Sequence, residues 1–264
     1  MESIFPALFP LTFFTLLVAE RFLTGRAFPK VRWWIPKAIV FFLIGGVINS
    51  VLPAAFSSLF DGRALLDLSS IGLGGTVVAV LASTLVSYWL HRVFHRFGGL
   101  WRWTHQMHHS AERVDMAGFA YSHPFELLIA VGMTPLVAAV IGVAPEAAML
   151  AGYITFVMGL FEHLNVNTPR WVGYIFQRPE MHCVHHERGV HAYNYGLPLW
   201  DMLFGTLRNP RTWSAQAGFW DGASQQTFAM LIGRDVGAVP NFAASSQTER
   251  EAHRAPARHA PLPS

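Results

Sequence analysis

The 264-residue chain is 52% hydrophobic and 14% aromatic with only 13% charged residues, too few charges for an ordinary soluble domain. Its single cysteine, Cys183, rules out an internal disulfide and an iron–sulfur cluster, which needs several thiolates. A net charge of +3 and a pI near 9.3 raise nucleic acid as a partner, but the basic residues flank apolar runs where anionic headgroups lie nearer, so none is expected.

In chain order, Ile4 to Phe22, Trp33 to Phe56, Ile71 to Leu90, Phe125 to Val143 and Ala147 to Leu164 are nearly free of charge. Each is close to the roughly 20 residues that a spanning helix requires. The first is read as a membrane segment rather than a cleavable signal, because Met1-Glu2 supplies no basic n-region and no small-residue cleavage site precedes Glu20-Arg21. Arg21, Arg26, Lys30, Arg32 and Lys37 follow it, whereas Ser57 to Ser70 carries Asp61 and Asp67 against Arg63. The basic loop is therefore expected in the cytoplasm. Counting on, the third run returns there beside Arg92, Arg96 and Arg102, and the Pro135-containing hairpin leaves the C-terminal part on the same side whether it crosses or only dips.

The expected fold is an all-α, multi-pass integral membrane protein. It has about four to five transmembrane or re-entrant helices and a cytoplasmic helical cap carrying a His-rich site. Residues 1–86 read as N-terminal membrane helices, 87–210 as the catalytic domain with a hydrophobic hairpin at 125–164, and 211–264 as a C-terminal extension. Phe228 to Ile232 reads as part of a short helix, and the chain from about Ala243 as disordered, which sets His253 and His259 aside.

Of 13 histidines, eight fall in three clusters. His91 and His95 stand four apart at the end of the third run, so both rings share one helical face. His105, His108 and His109 converge if their segment is helical, and His182, His185 and His186 repeat that spacing after the hairpin. A lone HxxxH is weak evidence, since such a pair is often a surface or interface feature. Two HxxHH clusters are specific, because crowded imidazoles beside a membrane are unfavourable unless a metal or counter-charge compensates. Eight nitrogen donors are twice what a four-coordinate zinc site uses, so two metal ions are implied. Imidazole suits zinc, copper, iron and nickel alike, and ligand type alone does not choose among them.

The segments HRVFH, LWRWTHQMHHS, SHPFE, FEHLN, HCVHH and NYGLPLWDMLFGT, between about Ser87 and Pro210, closely resemble the fatty acid hydroxylase and sterol desaturase superfamily. That family's HxxxH, HxxHH and HxxHH boxes bind a di-iron centre. Soluble di-iron enzymes do not fit, since their Glu-x-x-His ligation is missing, and membrane acyl-CoA desaturases carry one more residue inside the first box. The resemblance implies that His91, His95, His105, His108, His109, His182, His185 and His186 are metal ligands, joined by His163 at the end of the hairpin. A related branch has a further histidine where this chain has Asn167. His123 and His191 are candidates to complete a shell, or else headgroup contacts or hydrogen-bonded structural rings. Glu162, Asn165, Glu187, Asn194 and Asp201 are placed to accept protons from the outer ring nitrogens. Asn194 and Asp201 match family positions and are preferred, although Asp201 also reads as a helix cap or ion-pair residue.

What the resemblance implies is O2-dependent hydroxylation or desaturation of a sterol-like, acyl or other membrane lipid by two iron ions, with zinc a possible occupant of purified protein. Tyr88, Trp89, Trp101 and Trp103 read as a membrane-interface belt from which a lipid enters. With no dinucleotide fingerprint and no cysteine cluster, electrons are expected from a separate ferredoxin, cytochrome or reductase. A membrane zinc hydrolase and a metal transporter or sensor are the competing classes. A transport path would carry ligands near mid-bilayer, whereas these boxes lie at or beyond helix ends.

Overall fold

The computed structural model describes residues 5–23, 25–59 and 64–237. Every element in them is helical, and the lone β-bridge pairs Glu187 with Ala217. The long helices are α1 (Phe5–Ala19), α2 (Trp34–Leu59), α3 (Gly75–Arg96), α7 (Pro124–Ile141) and α8 (Pro145–His163). Between and after them lie short helices: α4 (Gly98–Trp103), α5 (Gln106–His109), α6 (Met116–Ala120), α9 (Pro179–His185), α10 (Pro198–Leu203) and α11 (Thr227–Leu231). All five apolar runs thus become helices. The 3₁₀ turn at Ser69–Gly74 leads into α3.

Three stretches are long and apolar enough to cross a membrane: Trp34–Phe56, Ser69–Arg96 and Pro124–Ile141. Val40, Leu43, Val47 and Val51 lie exposed along α2, as side chains facing lipid would. The described part of α1 is 15 residues long, and α8 carries Glu146 and Glu162 at its two ends. The third span lies in a hairpin with α8 that local chemistry closes. Pro124 and Pro145 open α7 and α8 in the first turn, where the missing N–H costs nothing. Gly142 ends α7 in the left-handed region at φ 66° and returns its N–H to Ala138 O.

Helix α7 packs against α2 on one side and α3 on the other, and α8 closes on α3. Ala79, Met133, Val137, Ile141 and Ala151 fill the space between α3, α7 and α8. A larger core gathers Phe13, Trp34, Phe41, Met107, Tyr121, Leu160 and Met230, with Phe13 stacked on Phe42 at 3.9 Å between ring centres. This second core draws the end of α1, the loops and the stretch around α11 to one end of the bundle. Glu20, just past α1, accepts the N–H groups of Met116 and Asn165, and Trp34 at the start of α2 donates to Asp115. The end of α3, the start of α7 and the end of α8 meet there too.

Residues 211–237 belong to this packed end. Met230 is fully buried, Gly218 N donates to His186 O, and Gln106 bridges Arg234 O and Val236 N. The helix expected near Phe228 to Ile232 is α11. The tail from Ala243, with His253 and His259, and the loop residues Asp61 and Arg63 lie outside the described residues.

Candidate metal centre

Both HxxHH boxes form the helical turns that their spacing requires. His109 N donates to His105 O across α5, and His186 N donates to His182 O at the end of α9. The nine box and hairpin histidines fall into two groups. One holds His91, His95, His105, His109 and His185; the other holds His108, His163, His182 and His186, and within each group the donor atoms lie within 4.8 Å of one another. Each HxxHH box is split between the groups, because neighbouring residues on a helix point about 100° apart.

The facing nitrogens are mostly Nε2. His109 Nε2 stands 3.0 Å from both His105 Nε2 and His185 Nε2, and His105 Nε2 stands 2.6 Å from His91 Nε2. In the second group His182 Nε2 lies 3.0 Å from His186 Nε2 and 3.1 Å from His163 Nε2.

The outer nitrogens explain why the rings face inward. His91 Nδ1 donates to Tyr195 O at 2.8 Å, His185 Nδ1 to Tyr193 O at 2.7 Å, and His163 Nδ1 to Gly159 O at 2.9 Å. His105 Nδ1 donates to the Glu126 carboxylate. A proton fixed on Nδ1 leaves the Nε2 lone pair free and directed inward. Lone pairs brought to 2.6–3.1 Å repel unless a cation lies between them. Two imidazoles that share one ion at about 2.1 Å, at right angles, stand about 3 Å apart. Neither ring nitrogen of His95 nor His186 Nδ1 has a hydrogen-bond partner among the described residues, and all three are buried. The donor set therefore fits two metal ions.

Burial also holds the rings uncharged. It pushes His105 and His108 down to about 3 and His191 down to about 4. His109, His182, His185 and His186 are likewise held well below 6.5, first by burial and then by their neighbours. Neutral imidazole is the form that binds a metal.

The remaining candidates take other places. His191 lies outside both groups, with its Nδ1 3.0 Å from His109 Nδ1 and its ring against Phe219. His123 caps α7, its Nδ1 accepting Phe125 N–H, and also lies outside both groups. Asn167 accepts from Trp213. Asn165 pairs with the backbone of Arg26, and the Glu187 backbone bridges to Ala217. Glu162 reaches only 4.0 Å from His163 Nδ1.

Among the described residues Asn194 and Asp201 make no hydrogen bond to a histidine ring; they hold the loop that does. Asp201 accepts from Tyr195 N, Gly196 N and the Thr206 hydroxyl, and burial pushes its carboxyl up to about 6. Asn194 donates to Met181 O and Arg208 O and accepts Arg208 N. His191, Tyr193 and Asn194 all have positive φ, at 43°, 67° and 48°. This strained turn aims the carbonyls of Tyr193 and Tyr195 at the rings of His185 and His91.

Two further groups escape a reading by residue type. Glu126 sits inside the SHPFE segment, and its signal is a carboxylate at the start of an otherwise apolar helix. The Gln177 amide lies 2.9 Å from His182 Nδ1 and donates to Asn194 O. The residues of the expected aromatic belt divide by burial. Trp89 and Trp103 are exposed, but Tyr88 and Trp101 are fully buried, Tyr88 stacked on Phe204 and bonded to Thr206, and Trp101 against His95 and His109.

Two groups of histidines gathered at one end of a bundle with helices apolar enough to cross a membrane define a histidine-box protein. The family described as fatty acid hydroxylase matches residues 76–206, and the chain belongs to the fatty acid hydroxylase and sterol desaturase superfamily. It is 31% identical to the ornithine lipid hydroxylase OlsE of Rhizobium tropici over 141 residues, 51% of this chain and 42% of that protein. Over 154 residues it is 29% identical to the very-long-chain aldehyde decarbonylase GL1-1 of Oryza sativa subsp. japonica, 52% of this chain and 24% of the relative. With GL1-9 of Oryza sativa subsp. indica, also a very-long-chain aldehyde decarbonylase, the identity is 27% over 140 residues, 49% of this chain and 53% of the relative. The matched region thus spans between a quarter and about half of these relatives. No solved structure matches the chain significantly.

Proposed function

We propose that this chain is a membrane-bound, O2-dependent lipid hydroxylase holding two iron ions in its two histidine groups. The observation that carries the reading is the split of each HxxHH box between two inward-facing sets of imidazoles. One ion would be held by His91, His95, His105, His109 and His185, the other by His108, His163, His182 and His186. When bound, the iron pair supplies the redox chemistry that turns O2 on an unactivated C–H bond.

The chain's own groups do the rest. The Tyr193 and Tyr195 carbonyls, Gly159 O and Glu126 keep the outer nitrogens protonated and the inner ones available. Trp101 and Met107, both fully buried, help shield the site from water. Asp201 and Asn194 hold the turn that positions the first group. For hydroxylation the balance is one C–H bond, O2, two electrons and two protons giving one C–OH bond and water. On this reading the two electrons come from a separate ferredoxin, cytochrome or reductase.

A lipid substrate is supported by the family and by the name of the hydroxylase relative. The site end collects the loop after α1, the end of α3 and α4, with Arg21, Arg26, Lys30, Arg32, Arg92, Arg96 and Arg102. Under the positive-inside rule this basic charge supports an active site on the cytoplasmic side. A transporter is disfavoured because both histidine groups lie at one end of the bundle.

The test is lipid mass spectrometry of cells with and without the gene, joined to metal analysis of protein purified anaerobically. A gain of one oxygen in one lipid class, lost with His108→Ala, is the expected result. Metal-free protein, zinc-dependent turnover without O2, or full activity of His108→Ala overturns the proposal.

A further inference from the structure

Two short stretches outside the long apolar helices carry a dense apolar surface. Trp171 and Leu203 are 65% and 66% exposed, and Ile175, Phe176, Leu199 and Met202 beside them are also exposed. The stretches touch, since α10 packs on the 3₁₀ turn Arg170–Tyr174. Monomers seldom leave a contiguous patch of this kind in water.

The patch continues the lipid-facing surface of the bundle. Trp200, next to Leu199, donates Nε1 to Thr84 Oγ1 on α3 at 3.0 Å. Phe204 packs on Trp89 of α3, 4.9 Å between ring centres, and Phe176 meets Phe161 of α8 at 6.5 Å. The apolar run of α3 continues to Leu90, six positions beyond Thr84 and hence roughly 9 Å further along the helix. Helix α10 is bonded at that depth, so it cannot stand clear of a bilayer that holds α3. A depth of about 5–10 Å is where interfacial helices settle, apolar face in the acyl chains and basic residues toward the phosphates. Arg170 and Arg208 flank the patch, and the Arg92 guanidinium lies over the Trp89 ring at 5.1 Å.

We infer that α10 and the segment Arg170–Phe176 form an interfacial membrane anchor, seated at the headgroup–acyl boundary of the leaflet that holds the end of α3. The opposite face of α10 carries the fully buried Asp201, which holds the Tyr195 turn against His91. One short helix therefore joins the bilayer to the frame of the histidine site.

The test uses the full chain in phosphatidylcholine vesicles, with an environment-sensitive fluorophore at Ile175→Cys or Leu203→Cys. Native Cys183 is fully buried and stays unlabelled, and Asp221→Cys serves as the water-exposed reference. Both anchor labels should emit to the blue of the reference, lose most of their intensity to brominated acyl chains, and resist aqueous iodide. Trp171→Phe should remove part of the bromolipid-quenchable tryptophan emission without any label. Iodide quenching at either anchor position overturns the inference. So does protection from both quenchers, which would place a second copy or another protein on the patch.

Discussion

Glu126 on α7 accepts a hydrogen bond from His105 Nδ1, tying the α7–α8 hairpin to the second histidine box. Its other oxygen, Oε2, is buried without a partner among the described residues. A carboxylate at the start of an apolar helix is unfavourable unless something compensates it, and the ring of His105 does so. On the proposed reading Glu126 fixes the tautomer that leaves His105 Nε2 free for metal.

Glu126→Ala is therefore expected to weaken metal retention on the order of 10–100-fold, the usual cost of losing a partner of a ligating histidine. Glu126→Gln keeps an oxygen acceptor and should lose less. Metal content after dialysis against graded chelator measures both. Unchanged retention in Glu126→Ala would show that the hydrogen bond does not support the site.

Asp201 provides a second check on the frame. Its carboxylate satisfies two backbone N–H groups and the Thr206 hydroxyl, all in a buried turn. Asp201→Ala strands those donors, and each buried unsatisfied group costs about 1–3 kcal/mol. The variant should melt several degrees lower in detergent and bind metal more weakly through His91. Asp201→Asn retains one acceptor and should fall between it and the unsubstituted protein; an Ala variant as stable as the parent would contradict this role.

The elements that chemistry had to label by residue type were legible in the sequence; those made by backbone were not. His91 and His95, and each HxxHH box, announce themselves because a spacing of three or four places rings on one helical turn. Their sorting into two groups depends on how α5 and α9 face each other across the bundle, which spacing within one segment does not fix. The partners of the outer nitrogens are largely carbonyls of Tyr193, Tyr195 and Gly159, and every residue has a carbonyl. Asn194 and Asp201 stood out as residues but act through that backbone. Tyr88 and Trp101 were misplaced because an aromatic residue near a helix end looks the same whether it borders lipid or fills a core. The packing of 211–237 onto the boxes rests on single contacts such as Gln106 with Val236, which have no periodicity to detect.

Cys183 lies inside the third box, yet its thiol is fully buried against Val114 and Ala217. Burial pushes it up to about 12, so almost none is thiolate near neutral pH. Iodoacetamide should leave the folded protein unmodified and label it once on denaturation, as read by intact-mass spectrometry. Rapid native alkylation would mean that the core around α9 opens readily.

The histidine site also predicts how stability responds to acid in the metal-free protein. Burial holds His105 and His108 at about 3 and His191 at about 4, with His109, His182, His185 and His186 also well below 6.5. In the unfolded chain these rings take up protons as pH falls through about 6.5, while the folded chain keeps them neutral until much lower pH. The unfolded state therefore binds more protons in the window from about 6.5 down to about 3, and stability falls as pH falls. Above that window neither state is protonated, and these rings add no slope. The urea midpoint should be nearly flat between about pH 8 and pH 7 and then decline toward pH 5. His108→Asn and His109→Asn should each make the decline shallower, since one fewer ring gains protons on unfolding. Glu20 and Asp201, raised by burial to about 7 and about 6, oppose this slope but are two groups against seven rings, so a midpoint that rises on acidification would contradict the neutral rings.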